Sequence, residues 1–456
     1  MAESRWHQCY MFPIITKLRR KRDSIAHGFK EPGGVSEAAR HCRSVAAVMI
    51  LMSQPILAQD ALRTSLAGDA AAAARNLQAE SQAYTFKAGD FKLLVKSSLE
   101  LDWNDNINLS KTNAEDDFIL RPLVALDASY PIGTYNLLNL SVDFGYNQYL
   151  IHDEFSGWQL DSGSALSFDL YVKDFWINFH DRFQYTQDPA QNAAASQAVS
   201  ATANYGTFEN TAGLSGTWDL EDVILTLGYD HQNVIALSSQ NDQVSHVSEQ
   251  VNARTGFKFN PKLTAGVEET AAFTTYEQNV LNNNQEYSAG IYGDWRPGSF
   301  FSVQPRAGYT ILKFSQSSAS VTGQNLNSWY ANLTLTHQAT GVFSYSLSGG
   351  HEISPGIGSN AIEDTYIRPS ASWNLIKDVT LQTSFSYEHG VEAGGQQSSL
   401  LENNFDWYGG TLNLSYSPMK RIMLSLIYRL TLRTSNVASG EYTQNMVGLQ
   451  ATFTPP

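Results

Sequence analysis

The chain is poor in charge and almost free of cysteine. Only 16% of its 456 residues are Asp, Glu, Lys or Arg, against roughly 25% in an average soluble domain. Its two cysteines, Cys9 and Cys42, both lie near the N-terminus, which argues against a small secreted scaffold held by disulfides. The mean hydropathy of −0.28 excludes a helical protein with many membrane spans, because each such span needs about 20 apolar residues.

Uncharged polar and aromatic residues take the place of the missing charge. Aromatic residues make up 12% of the chain, including 22 Tyr and 22 Phe, which argues against a disordered chain. The composition also excludes collagen-like and coiled-coil chains. Two classes remain: a large soluble all-β protein, and a membrane β-barrel in which polar lumenal residues dilute the apolar lipid-facing ones.

The first 58 residues have the features of an export signal. An apolar run of 15 residues, Ser44–Ala58, follows a basic region and ends with Pro55 and a small residue. The run is shorter than the ~18 residues of a spanning helix, and its flanks are typical of a secretory signal. We therefore expect residues 1–58 to be an N-terminal extension and signal peptide that is removed. A buried helix is the alternative, and translation of residues 1–40 is left open.

The expected mature chain is strongly acidic. Residues 1–58 hold nine of the 30 Lys and Arg and four of the 44 Asp and Glu, which leaves 21 basic and 40 acidic residues and a net charge of −19. A nucleic-acid binder carries the opposite sign, so nucleic acid is not an expected partner.

An Ala-rich segment follows the signal. Residues 59–90 favour helix by composition, but their apolar stripe is thin and Gly68 interrupts it. We expect a periplasmic segment that forms a short helix or is disordered. A plug or an oligomerisation element is the alternative.

Beyond the Ala-rich segment, apolar and polar residues alternate. In Leu138–Leu150, for example, Leu140 and Val142 alternate with Ser141 and Asp143. Strict alternation predicts a strand with one apolar and one polar face. Eighteen strands are predicted, with sixteen as the alternative count, near residues 91–103, 117–130, 137–151, 162–173, 175–187, 205–218, 222–236, 244–259, 263–278, 285–296, 300–315, 327–338, 341–351, 364–375, 379–391, 404–416, 421–433 and 441–453.

Short and long connections alternate along the whole chain. The connection 131–136 is short and turn-like, whereas 104–116, 187–204 and 392–403 are long and polar. This alternation is typical of an outer-membrane barrel with tight periplasmic turns and long external loops, and a sandwich or propeller has no need of it. We therefore predict an all-β fold, a transmembrane antiparallel up-and-down β-barrel formed by residues 91–456.

Three segments resemble a known family. Phe118–Tyr146, Phe175–Pro189 and Asn210–Asn233 are similar to the bacterial outer-membrane proteins grouped as β-barrel porin family 2, and the likeness is concentrated in residues 91–240. The resemblance implies the barrel fold. It implies no substrate and no functional residues.

Alternation also assigns charged residues to the water-filled lumen that 16–18 strands enclose. An arginine on the lipid side at mid-depth would cost about 2–4 kcal/mol, which favours inward positions. Two interpretations of the arginines are kept: a charged constriction that selects solutes, or wall arginines paired with nearby carboxylates. The expected pore-lining residues are Arg121, Arg182, Arg254, Arg306, Arg368, Arg429, Asp143, Asp169, Asp230, Glu268 and Glu388.

The sequence contains no signature of catalysis. The motifs G-x-S-x-G and H-E-x-x-H and metal-spaced Cys/His clusters are absent, so we expect no enzyme activity, cofactor or metal site. The expected function is passive diffusion of small hydrophilic solutes through an outer-membrane channel. The alternatives are a non-conducting surface scaffold or adhesion barrel and, more remotely, an outer-membrane hydrolase. The expected partners are outer-membrane lipid, the barrel-assembly machinery and the solutes, and a homo-oligomer is left open.

Overall fold

The computed structural model describes residues 84–133, 136–161, 163–172, 174–186, 206–315, 325–355, 359–393, 403–436 and 440–455. The expected signal segment, residues 59–83 of the Ala-rich segment and the long connection 187–204 lie outside these residues, so the predictions made for them stay predictions. The same holds for the boundary at residue 58.

Twenty strand segments form one antiparallel sheet. Gly157–Leu160 and Ala165–Val172 are two parts of one interrupted strand, and Phe86–Ala88 is a three-residue extension of the sheet. Eighteen barrel strands remain, as predicted. They are β1 (Phe91–Asn104), β2 (Asp117–Ile132), β3 (Asn136–Tyr149), β4 (Gly157–Leu160 and Ala165–Val172), β5 (Phe175–Thr186), β6 (Thr207–Asp219), β7 (Val223–Ala236), β8 (His246–Asn260), β9 (Leu263–Tyr276), β10 (Asn284–Gly298), β11 (Phe301–Phe314), β12 (Leu326–His337), β13 (Phe343–Pro355), β14 (Ala361–Ile376), β15 (Val379–Ala393), β16 (Asn403–Met419), β17 (Ile422–Ser435) and β18 (Tyr442–Phe453).

The sheet closes on itself between its last and first strands. Each strand pairs with the next along the chain, and β18 pairs with β1 over eight residue pairs, from Ser97 opposite Phe453 to Asn104 opposite Met446. The short strand Phe86–Ala88 pairs with the beginning of β1, below the part that β18 covers. Closure satisfies the backbone groups that an open edge would leave unpaired, at a cost of several kcal/mol each in hydrocarbon. The predicted up-and-down barrel is thus confirmed.

The two faces of each strand differ sharply, as the alternation predicts. On β1, Leu99 and Leu101 are 49% and 41% exposed, whereas Glu100 and Asp102, which alternate with them, are 8% and 0% exposed. The same contrast continues around the barrel, so that the outer surface is covered by exposed apolar side chains and the inner face by polar ones. An exposed apolar wall of this size is costly in water and is the lipid-facing surface of an outer-membrane barrel.

Strand β4 is interrupted, which the sequence did not predict. Its first part pairs with residues 144–147 of β3 and its second part with residues 137–141, and the register changes by two residues between them. The interruption is fixed by two hydrogen bonds: the Asp161 amide donates to the Asp143 carbonyl oxygen, and the Asp143 amide donates to the Ser164 hydroxyl. Extra residues of this kind bend a strand and re-aim its side chains. The predicted strand 162–173 therefore begins earlier, at Gly157, and contains a break.

Helical structure is scarce in the described part of the chain. It includes the short 3₁₀ segments Asp153–Phe155 and Ser239–Val244. No helix among the described residues is both long and apolar enough to cross a membrane.

Candidate functional site

The connection between β1 and β2 folds inward over the barrel mouth. Ile107 packs against Ile119 and Tyr149, and all three are at most 5% exposed. Leu109 packs against Tyr442 of β18. Because Ile119, Tyr149 and Tyr442 lie on the inner faces of their strands, the connection covers part of the lumenal wall.

A second inward element is the tip of the β13–β14 hairpin. Ile353 and Ala361 pack against Leu312 and Phe314, which lie on the inner face of β11. The Asn360 side-chain oxygen accepts a hydrogen bond from the Asn282 amide at 3.2 Å. The tip therefore leans across β12 toward the connection between β9 and β10.

These two elements narrow the mouth from opposite sides. The wall positions they cover, on β2 and β11, are nine strands apart in a ring of eighteen. The long connection 187–204 lies outside the described residues. The structure thus identifies two shorter segments that occupy the lumenal side of the mouth.

All eleven charged residues expected in the lumen lie on the inner faces of their strands. Five of the six arginines make ion pairs with inner-face carboxylates, and Arg182 stands opposite Thr211 of β6 in register. The pairs are Arg121–Asp102, Arg254–Glu268, Arg306–Glu268, Arg368–Glu388 and Arg429–Glu100. Two of the carboxylates, Glu100 and Asp102, were not among the expected residues.

The first charged cluster joins the two ends of the sheet. Arg121 Nη1 lies 2.9 Å from Asp102 Oδ2, and Asp102 is fully buried. Arg429 Nη2 on β17 lies 3.5 Å from Glu100 Oε1, and Gln450 on β18 donates to the other oxygen of that carboxylate at 3.1 Å. The two contacts of Glu100 cross the junction between β18 and β1 on its inner side, where charge-assisted hydrogen bonds add to the backbone pairing.

A second cluster lies on β4, β5 and β7. His180 Nε2 is 2.6 Å from Asp230 Oδ1, and both side chains are 4% exposed. Asn178 connects His180 to Asp169. Its side-chain oxygen lies 3.0 Å from His180 Nδ1, and its side-chain nitrogen donates to Asp169 at 2.8 Å. Trp176 donates its indole N–H to the same Asp169 oxygen at 3.0 Å. The cluster includes Asp169 and Asp230, which the sequence singled out without their partners.

A third cluster runs straight across five strands. Arg254, Glu268, Gly290, Gly308 and Tyr330 stand directly opposite one another in register on β8 to β12. Glu268 accepts hydrogen bonds from Arg254 at 3.1 Å, from Arg306 at 2.9 to 3.1 Å and from the Tyr330 hydroxyl at 3.0 Å. Two arginines share one carboxylate, so this part of the wall carries a net positive charge.

Arginine side chains on the wall also stack on aromatic rings. The Arg254 guanidinium lies 3.9 Å from the ring centre of Tyr292, and that of Arg368 lies 4.0 Å from the ring centre of Tyr366. Cation–π contacts of this kind hold the guanidinium plane in one orientation. Arg254 and Arg368 are thus each held by an aromatic ring and by a carboxylate.

Glycines allow these side chains to lie flat on the wall. A Cβ on Gly213 would clash with His180 and Asp230, and a Cβ on Gly290 or Gly308 would clash with Tyr330. Sequence reasoning missed the tyrosines because it followed charge. A usable signal was present, since each of these glycines occupies an inner-face position where a polar side chain is expected.

The arrangement holds charge in place but offers little for metal chemistry. No group of three or more His, Cys, Asp or Glu with the geometry to bind a metal ion is found among the described residues. Fixed guanidinium and carboxylate groups on a pore wall discriminate between ions by charge.

In comparisons with solved structures, the chain is similar to several bacterial proteins at low sequence identity. It is similar to OpdL of Pseudomonas aeruginosa (12% identity, TM-score 0.44, covering 80% of this chain and 99% of that one) and to OccK2 (OpdF) of the same organism in complex with glucuronate (9%, 0.47, 80% and 98%). It is also similar to OccAB3 of Acinetobacter baumannii (9%, 0.46, 80% and 100%). No residue role or substrate is transferred at these identities.

No protein-family model matches the chain, and neither does any curated protein sequence. Membership of β-barrel porin family 2 therefore stays a prediction, whereas the barrel architecture implied by that resemblance is present.

Proposed function

We propose that this protein is an outer-membrane channel through which small hydrophilic solutes diffuse passively. The observation that carries the proposal is the division of the barrel wall into an apolar outer face and an inner face of ordered charged and polar side chains. An interior ringed by eighteen strands is wide enough for an aqueous path. The outer face fits lipid, and the inner face fits water and solutes.

Selection in such a channel rests on width and charge. The inward elements at the mouth, formed by the β1–β2 connection and the β13–β14 tip, reduce the width. The wall clusters below them impose charge preferences, because fixed charges raise the local concentration of ions of opposite sign. Diffusion needs no energy coupling, and the proposal assigns no catalytic group to the barrel.

Two partners belong to the same proposal. The outer-membrane lipid covers the apolar face, and the barrel-assembly machinery inserts the chain, whose last strand ends at Phe453. A homo-oligomer stays a prediction without a particular surface assigned to it.

Liposome swelling tests the proposal. Liposomes that contain the folded barrel are diluted into isotonic solutions of uncharged sugars of increasing size, with liposomes that contain heat-unfolded protein as the control. We expect rapid swelling with the smallest sugars and a steep fall as size increases. Swelling at the control rate with every sugar would contradict the channel and favour the non-conducting scaffold.

A further inference from the structure

The row of residues opposite one another on β8 to β12 contains an unusual gap. Glu268 on β9 and Tyr330 on β12 are separated by two strands, and both positions between them in register, on β10 and β11, are glycine. The Tyr330 hydroxyl nevertheless donates to Glu268 Oε1 at 3.0 Å. The tyrosine side chain therefore lies along the wall, across both intervening strands.

Only glycine leaves room for this crossing. A Cβ on Gly308 would overlap the Tyr330 ring, and a Cβ on Gly290 would overlap its hydroxyl oxygen. Glycine in a strand interior weakens the strand and marks a place where another group approaches closely. Two such glycines in one row show that the tyrosine is accommodated at some cost to the sheet.

The crossing decides which charges face the lumen. The Glu268 side chain is 5% exposed, whereas those of Arg254 and Arg306 are 23% and 21% exposed. The carboxylate thus lies on the wall beneath the two guanidinium groups. A buried carboxylate is stable only when it is paired and hydrogen-bonded, and Tyr330 supplies the neutral donor that holds it from the side opposite Arg254.

We propose that Tyr330 is a positioning residue for ion selectivity, because its hydroxyl keeps Glu268 on the wall beneath Arg254 and Arg306. A solute passing this part of the wall meets two partly exposed guanidinium groups, whereas the carboxylate of Glu268 lies buried beneath them. Without the hydroxyl, the carboxylate gains freedom to move toward the lumen and offsets more of the arginine charge. The inference rests on the proposed channel function and adds to it the residue that sets the charge displayed.

The test is a double-mutant cycle read out as reversal potential in planar bilayers under a salt gradient. Tyr330→Phe keeps the ring over the glycines and removes only the hydroxyl, so we expect a shift toward cation preference. Glu268→Gln removes the negative charge, so we expect a shift toward anion preference. In the double variant we expect the reversal potential of Glu268→Gln alone, because the hydroxyl then has no charge to position.

A matched control lies on the outer face of the barrel. The Tyr428 hydroxyl on β17 donates to the neutral Asn445 side chain at 2.8 Å, and Tyr428 faces away from the lumen. We expect no change in reversal potential for Tyr428→Phe. Far-ultraviolet circular dichroism of each variant establishes that the barrel has formed.

The outcomes separate the inference from the function on which it rests. The positioning role of Tyr330 would be overturned if Tyr330→Phe left the reversal potential unchanged or shifted it toward anion preference. It would also be overturned if Tyr330→Phe caused the same shift in the wild type and in the Glu268→Gln variant. A wild-type protein that never conducts would instead contradict the proposed channel.

Discussion

His180 and Asp230 contact each other across a strand that contributes no side chain at that level. Their Nε2 and Oδ1 atoms are 2.6 Å apart, although β6 lies between the strands that carry them, and Gly213 of β6 stands in register with both. The pair is therefore a direct contact between next-nearest strands, and it depends on a glycine.

Replacing that glycine should destabilise the barrel. In Gly213→Ala the new Cβ meets both side chains, and overpacking of this kind costs about 1–3 kcal/mol. Gly216→Ala is the control on the same strand, because its Cβ meets no other atom within 4 Å. We expect the free energy of unfolding, measured by urea titration in lipid vesicles, to fall for the first variant only. Equal values for the two variants would refute the contact.

Breaking the buried ion pair between β1 and β2, next to the closure of the sheet, should cost more stability than breaking an exposed pair. In Arg121→Met, the fully buried Asp102 loses its partner, and removal of one member of a buried pair costs about 3–5 kcal/mol. Lys111→Met is the control, because Lys111 pairs with Glu441 on the surface with 59% of its side chain exposed, and exposed pairs contribute little. The same urea titration measures both, and similar losses would contradict the role given to Asp102.

The charge displayed on the β8–β11 wall should set the direction of ion preference. Arg254→Gln combined with Arg306→Gln leaves Glu268 as the remaining charge of that cluster, so the reversal potential in a salt gradient should move toward cations. Arg296→Gln removes a charge near the end of β10, where the side chain is 63% exposed, and should have a much smaller effect. A double variant with unchanged reversal potential would show that this wall does not contribute to selectivity.

The inward tip of the β13–β14 hairpin should limit the size of solutes. Leu312→Ala removes the fully buried side chain on which Ile353 and Ala361 pack, which loosens the tip and should admit larger sugars in the swelling assay. Ile311→Ala shortens the adjacent, outward-facing residue of the same strand and serves as the control. If the size limit is the same for both variants and the wild type, the tip does not narrow the channel.

Strand positions followed from the sequence because two local signals agree. Alternation identifies the strands, and turn residues mark their ends, so that the predicted 379–391, for example, is observed as Val379–Ala393. The break in β4 escaped prediction because it depends on backbone and hydroxyl contacts of Asp143, Asp161 and Ser164 with a neighbouring strand. Such contacts leave no trace in the periodicity.

The inner-face charges were placed by the same alternation, but their partners were not. Pairing Arg121 with Asp102, or Tyr330 with Glu268, requires the register between strands, which depends on how the whole sheet closes. Tyr330 and Tyr292 carry no charge and were therefore passed over. Their contacts with the charged side chains are possible because glycines stand opposite them. Which residues stand opposite one another is known only from the register of the strands.

Single-channel recording tests the central claim most directly. Residues 59–456 are folded in detergent and added to one side of a planar lipid bilayer in potassium chloride under a series of applied voltages. An open diffusion channel predicts discrete, uniform conductance steps with current proportional to voltage, and none with heat-unfolded protein. A folded barrel that inserts but gives no conductance step at any voltage would contradict the account.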